Sequence, residues 1–380
     1  MIGMNERFSF GRLLAMMIKE LIQLKRDRLT FAMMVGIPII QMTLFGFAIN
    51  GDPRRLPTAV VAQEQGPFTR SLVRALENTG YFEVVKPDAS TADAERMIER
   101  GDVQFVFTIP AGFERRVLRG ERPAVLLEAD ATDPSATGNA IAAVIQLATS
   151  ALRHDLTGPV AAPGGSPPFE WRVHRRYNPE GITQYNIVPG LMGVILTMTM
   201  IMMTALAVAR EVERGTMENL LATPVHPLEV LVGKIGPYIG IGLVQVVIIL
   251  LAAKFVFSVP FEGNLVLLLL GVLVFIGASL TVGITISSAA QSQMQAMQMT
   301  FFFFLPSLLL SGFMFPFRGM PGWAQFIGEA LPLTHFLRLI RGVMLKGSEW
   351  WAIWPHLWPL LLFTAIVLGI GLKRFRRTLD

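Results

Sequence analysis

The residues able to do covalent chemistry are few and badly placed for it. The chain has no cysteine, which removes thiol nucleophiles, thiolate metal sites and disulfides together. Its five histidines, His154, His174, His226, His335 and His356, are scattered, with no HExxH pair and no plausible triad. The only Gly-Lys pair, Gly233-Lys234, is followed by Ile235 and lacks the upstream glycine of a phosphate loop, so the chain cannot hydrolyse ATP by such a loop of its own. What remains is contact chemistry, concentrated in the connector REVERGTMENLLATPVHPLE from Arg210 to Glu229. Glu211, Glu213 and Arg214 can only end a membrane-embedded helix, because a charge near hydrocarbon costs several kcal/mol. Gly215 breaks that helix, and the Thr216 hydroxyl caps a new short one with Glu218 in its first turn. Pro224 stops it. Met217, Leu220 and Leu221 then share one face. That face fits either folding back on the chain and its lipid headgroups or plugging into a soluble partner.

The elements that must hold this connector follow from composition. Of 380 residues 52% are hydrophobic and 16% charged, with mean hydropathy +0.50, which implies one membrane domain and one soluble domain. The net charge of +5 comes with basic residues set beside apolar runs, so it reads as a topology signal and not as nucleic-acid binding. The expected fold is an α-helical integral membrane protein with six transmembrane helices and an extracytoplasmic α/β domain inserted between the first and second.

In chain order, residues 1–29 are expected to form a helix with the stripe Phe10, Leu13, Leu14, Met17, Ile18, Leu21 and Ile22, a pattern that fits an interfacial amphipathic helix and an ordinary packed helix alike. Residues 30–50 are the first span, retained as an anchor because the N-terminus lacks a cleavable signal. The α/β domain occupies 51–181, with strands at 58–62, 82–85, 103–109, 125–128 and 170–177. Helices are expected at 68–78, 91–100, 113–119 and 135–156, followed by a flexible tether at 158–168. The second span is 182–209, the connector 210–227, the third span 228–257, the fourth 264–288 and the fifth 294–315. Residues 316–354 alternate too densely to span and suggest re-entrant helices at the outer face, with Trp323, Trp350, Trp351 and Trp354 at headgroup level. The last span is 355–372, and 373–380 is a cytoplasmic tail.

Basic clusters at Lys25, Arg26, Arg28 and at Lys373, Arg374, Arg376, Arg377 place both termini inside, and with them the connector. Gly233, Gly236, Gly240 and Gly242 offer a small-residue surface for helix packing. Gln291, Gln295 and Gln298 are expected on one face at the start of the fifth span, either bonded to a neighbouring helix or lining a translocation path. The methionines Met198, Met200, Met202, Met203, Met294, Met297 and Met299 read as packing or lipid-facing residues before they read as a substrate surface.

Four stretches resemble the type-2 permeases of ATP-binding-cassette (ABC) exporters, in the subclass with a large outer domain after the first span. They are Lys19, Glu20, Arg26 and Asp27 before the first span; Glu211, Glu213, Gly215, Thr216 and Glu218 in the connector; Gly233-Lys234 with Pro237-Tyr238; and Ser311-Gly312 with Pro316, Pro321 and Pro332. Phe113-Glu114-Arg115 and Thr132-Asp133 carry it more weakly into the outer domain. The resemblance implies a non-catalytic subunit of the bacterial inner membrane with no cofactor of its own. Cytoplasmic ABC ATPase subunits would bind ATP and Mg, and a second permease copy or paralogue would complete the pore. Membrane lipids and a periplasmic adaptor are further partners. It further implies that the ATPase docks on Glu211, Glu213, Gly215, Thr216, Met217, Glu218, Leu220 and Leu221. The function expected is outward movement of amphipathic drugs or lipid-like molecules. The alternative is an ATPase-coupled signalling or assembly protein that transports nothing. An ion-driven transporter would need carboxylates in mid-span, and none is present.

Overall fold

Strand β1 (Leu56–Ala62) shows how the soluble part is built: Leu56 and Val60 point into one apolar cluster, Ala59 and Val61 into another. A strand covered on both faces reads as a nearly continuous apolar run instead of an alternating one. The structure, a computed structural model, describes residues 53–156, 167–213 and 227–377. The amphipathic helix expected at 1–29, the first span, most of the tether and connector residues 214–226 lie outside the described residues.

On either side of β1 lie β2 (Phe82–Lys86) and β3 (Phe105–Ile109), both parallel to it. Helices α1 (Pro67–Asn78) and α2 (Thr91–Arg100) make the crossovers that parallel pairing demands. After the short α3 (Phe113–Leu118), β4 (Ala124–Asp130) runs antiparallel to β3 and β5 (Glu170–Arg176) parallel to β4, giving the order β2-β1-β3-β4-β5. Phe68, Leu72 and Leu76 of α1, Phe113 and Val117 of α3, and Ile141 and Val144 of α4 (Pro134–Leu147) fill one face. Ala94 and Ile98 of α2 cover the other. Edge-to-face contacts among Phe82, Phe105 and Phe107, with centroids 5.0 and 5.3 Å apart, fix the core of the first face.

Local signals set the helix ends. The Ser90 hydroxyl accepts the Asp93 N–H to start α2, and Gly101, left-handed at φ 78°, stops it. Asp133 caps α4 by accepting the Ser135 N–H at 3.1 Å, with Pro134 at the first helical position. The expected helix at 135–156 is shorter than its pattern: α4 stops at Leu147. Beyond it the Thr149 hydroxyl donates to the Gln146 carbonyl at 3.1 Å, the competition with helical bonding that such side chains offer. The turns that follow still bury Leu152 and Leu156.

The helical part comprises α5 (Thr183–Glu213), α6 (Pro227–Phe255), α7 (Leu265–Ser287), α8 (Gln293–Leu310), α9 (Gly322–Glu329), α10 (Pro332–Arg341) and α11 (Trp350–Arg377). A 3-10 turn, Phe317–Gly319, precedes α9, and a single π turn, Gly342–Lys346, extends α10. Helix α7 sits at the centre, packed on α5, α10 and α11. Gly283 allows its closest approach: a Cβ there would lie 2.8 Å from the Ile201 carbonyl oxygen of α5. Gly242 plays the expected packing role, against Ile276 and Met200, whereas Gly240 faces open space. Met192 and Met200 are core residues. Hydroxyls of Thr197, Thr204 and Thr300 donate to carbonyls four residues back, so they add no unpaired polar group to the apolar interior.

Among the described residues, four helical segments are long and apolar enough to cross a membrane: Thr183–Arg210, Pro237–Phe255, Leu265–Ser287 and Trp350–Gly371. The expected fifth span is α8, an 18-residue helix that opens on three glutamines and is not among these four. The stretch expected to be re-entrant forms α9 and α10, short helices held among the long ones; Phe336 of α10 stacks on Phe275 of α7 with centroids 4.0 Å apart.

Candidate functional site

Two polar clusters sit at opposite ends of α5. The first is where the chain leaves α5 for the connector. Arg210 and Glu213 lie one turn apart, and the Gln293 side chain of α8 bridges them: its Oε1 accepts from Arg210 Nε at 3.4 Å and its Nε2 donates to Glu213 at 3.0 Å. Glu213 also accepts the Gln293 backbone N–H at 3.1 Å. A carboxylate there meets an otherwise unsatisfied N–H and the positive end of the α8 dipole. The end of α5 is thereby clamped to the start of α8, immediately before connector residue 214.

Ser292 and Gln295 fix where α8 begins. The Ser292 hydroxyl accepts the Gln295 N–H at 3.2 Å, and the Gln295 side chain turns back to accept the Gln291 N–H, the reciprocal arrangement of a capping box displaced by one residue. Gln291 therefore precedes the helix, exposed, and the three glutamines do not form one helical face. Gln295 and Gln298 remain on α8, partly buried. Gln293, which makes the inter-helix contact, was not singled out from sequence, although the Ser-x-x-Gln signature at 292–295 places it at the first helical position. Of the connector residues expected to dock a partner, Glu213 is described and exposed; Gly215, Thr216, Met217, Glu218, Leu220 and Leu221 lie outside the described residues, as does the side chain of Glu211.

The second cluster is a seam between the α/β domain and α8–α11. Lys346, in the π turn after α10, donates to Asp130 at the end of β4 at 2.5 Å and to the Ile98 carbonyl at 3.2 Å, with both charged side chains buried. Asp130 also accepts the N–H and the hydroxyl of Thr132 at 3.1 and 2.8 Å. The Lys346 ammonium lies 5.1 Å from the centre of the Tyr177 ring. Burial, reinforced by Asp130, pushes the Tyr177 hydroxyl up to about 12, so it stays neutral beside the pair. Next to this, Asn186 of α5 donates to Asp133 at 3.1 Å, joining the cap of α4 to the start of a long helix. Thr132-Asp133, noticed only as a weak resemblance, thus tie a strand end to the helices. On α10, Arg338 grips Glu329 through two bonds of 3.0 and 2.6 Å, and His335 Nε2 lies 2.8 Å from the Glu329 carbonyl oxygen. Burial lowers the His335 imidazole below its usual value and keeps it neutral. Lys346 and Asp130 were missed from sequence because 216 residues separate them.

Among the described residues two interhelical hydrogen bonds lie within the spans, from Thr199 of α5 to Gln245 of α6 at 2.9 Å and from Thr285 of α7 to the Val367 carbonyl of α11 at 3.3 Å. Among the described residues no group of His, Asp or Glu could hold a metal ion. Such an arrangement can transmit displacement and bind polar groups; it carries no nucleophile paired with a base.

A helical membrane unit without catalytic machinery, joined to an α/β domain and ending α5 in a charged connector, is the architecture of a permease subunit. The chain belongs to the ABC-2 family transporter proteins, whose pattern matches residues 28–373. It is 29% identical over 369 residues to the "Probable multidrug ABC transporter permease YbhR" of Escherichia coli, covering 97% of this chain and 99% of that one. It is 26% identical over 381 residues to the "Probable multidrug ABC transporter permease YbhS" of the same organism, covering 99% and 100%. To the "Inner membrane transport permease YhhJ" of Escherichia coli it is 29% identical over 377 residues, covering 95% and 96%. No solved structure matches the chain. The protein is therefore a non-catalytic transmembrane subunit of an ABC transporter, and ATP is hydrolysed by a separate partner.

Proposed function

We propose that this chain is the membrane-spanning subunit of an ABC exporter that moves amphipathic drugs or lipid-like molecules outward across a bacterial inner membrane. The observation that carries this reading is the collinear match, over nearly the whole of each chain, to relatives named as multidrug permeases. Both termini and the 210–227 connector are cytoplasmic, the α/β domain is extracytoplasmic, and two permease chains assemble with two ATPase subunits. The face of Met217, Leu220 and Leu221 enters the ATPase, with Glu211, Glu213 and Glu218 as its polar rim. ATP-driven closure pushes the connector, and the clamp at Arg210, Glu213 and Gln293 passes that displacement to α5 and α8 together. Gln295 and Gln298 then border the path on α8, and a periplasmic adaptor meets the α/β domain.

The test is ATP hydrolysis in proteoliposomes containing this chain and its ATPase subunit, against a panel of amphipathic compounds. Stimulation by a subset of compounds is expected, and the double change Leu220→Asp with Leu221→Asp should abolish it by releasing the ATPase. Unchanged co-purification of that variant with the ATPase would remove the docking assignment. The buried Lys346–Asp130 tie favours one competing reading, in which hydrolysis only moves the α/β domain. Chain-dependent hydrolysis that ignores every compound would support it.

A further inference from the structure

The seam encloses a cavity of about 290 Å³ lined by both halves of the molecule. Its charges nearly balance: Arg100, Arg318, Arg338, Arg341 and Lys346 face Glu99, Asp102, Asp130 and Asp133. Most of these are already used. Lys346 is spent on Asp130, Arg338 on Glu329, and Asp133 on the α4 cap and Asn186. Arg100 lies over the Trp351 ring at 4.9 Å.

Arg100, Arg318 and Asp102 are exposed; of the remaining lining charges, two have no opposite charge in ion-pair range among the described residues. The Arg341 side chain is partly buried, and among the described residues its one hydrogen bond runs from Nη1 to the Gly312 carbonyl at 3.3 Å. Its Nε is shut off from solvent with no acceptor at all. Across the domain boundary, the partly buried Glu99 carboxylate has no ion pair, and burial together with Glu349 raises its affinity for a proton. A buried charge with most of its hydrogen-bonding capacity unused is costly. A separated pair of such charges in one cavity is complementary to a ligand carrying both signs.

Position narrows the class further. Ala352, Ile353 and His356 of α11 line the cavity, within about 9 Å of that span's first residue at 1.5 Å per residue. With 28 residues, about 42 Å at that rise, α11 is longer than the roughly 30 Å hydrocarbon core, which leaves its first turns to the headgroup layer, roughly 5–8 Å thick on each side. Trp350 and Trp354 lie on the exposed surface of the same turns, as interfacial residues do. The volume falls just below the range of about 300–1,000 Å³ typical of drug-sized ligands, which suits a headgroup.

We propose that the seam cavity binds the zwitterionic headgroup of a phospholipid bearing a primary amine, with the phosphate on Arg341 and the ammonium on Glu99. A guanidinium fork suits a phosphate, and an ammonium supplies the opposite charge and the donors that the Glu99 carboxylate lacks. The site requires only that the chain be a membrane protein and does not depend on what it transports. An occupied cavity adds a ligand bridge across the seam already tied by Lys346 and Asp130.

The experiment is equilibrium binding of soluble dioctanoyl phospholipids to the full chain in detergent, read by native mass spectrometry. Dioctanoyl phosphatidylethanolamine should bind about tenfold or more tighter than the phosphatidylglycerol and phosphatidylcholine analogues, the margin of one good charge-assisted contact. Glu99→Gln should remove the preference for the amine while leaving phosphatidylglycerol binding in place, and Arg341→Gln should weaken all three. If Arg341→Gln does not fold, Glu99→Gln and Arg341→Lys carry the test, with thermal unfolding confirming their integrity. Free O-phosphoethanolamine competing as strongly as the lipid would keep the chemistry and assign the site to a soluble compound. Equal binding of the three lipids, or a preference untouched by Glu99→Gln, would overturn the proposal.

Discussion

The two ends of α5 solve different problems with similar residue types. At the seam, Lys346 and Asp130 are buried, each with a further hydrogen-bond partner, and the contacts join segments remote in the chain: Lys346 to Asp130 and Asn186 to Asp133. At the connector end, Arg210, Glu213 and Gln293 are bonded to one another in contact with solvent. A buried pair is expensive to break because each charge is then left uncompensated, whereas an exposed one exchanges its partner for water at little cost. The seam therefore holds the α/β domain on the helices, and the connector end is clamped but able to yield. A segment that must move with a partner belongs at the second kind of end.

The sharpest way to break this contrast is Lys346→Ala. It strands Asp130 and should cost about 3–5 kcal/mol. Thermal unfolding followed by tryptophan fluorescence should show it, and adding Asp130→Leu to a Lys346→Met background should recover most of the loss. A loss under 1 kcal/mol would mean that the seam is no firmer than the clamp. A smaller effect is expected from pH. Burial depresses the folded His335 below its usual value of about 6.5. Folded protein then binds fewer protons than unfolded, so this stability is complete above about pH 6.5 and is lost as pH falls toward the folded value. His335→Gln should flatten that slope in melting curves taken between pH 7.5 and 5, and an unchanged slope would assign it to other groups. The smallest effect belongs to Gln293→Ala, which removes an exposed bridge and should cost under about 1 kcal/mol. Its stability should be nearly wild type while the coupling of ATP hydrolysis to added compounds falls. Full coupling in that variant would show that the clamp transmits nothing.

Much of the fold was legible because it is written in local periodicity. The strands at 58–62, 82–85 and 125–128 were each found within a residue or two of β1, β2 and β4, since Phe, Val and Leu alternate or run together there between Gly, Pro and Asp signals. The spans at 182–209 and 264–288 match α5 and α7 for a similar reason: a bilayer demands a long uncharged run. The helix at 135–156 was overextended because the Thr149 hydroxyl competes with the backbone, an effect weaker than the apolar pattern around it. The glutamines were assigned to one face because the capping role of Ser292 and Gln295, which ejects Gln291 from the helix, was overlooked.

The amino-acid sequence by itself determined the class of molecule: its lack of cysteine and of a phosphate loop, its long apolar helices and its α/β region. Only the tertiary structure decided which polar groups meet. Asp130 and Lys346 are separated by several helices, and nothing in the local pattern of DATDPSA or RGVMLKG marks either as the partner of the other. The same holds for Arg341 and Glu99, which share one cavity and have no ion pair among the described residues. Periodicity encodes which face of an element is buried, but the pairing of buried charges depends on how whole elements pack, which is a property of the assembled fold.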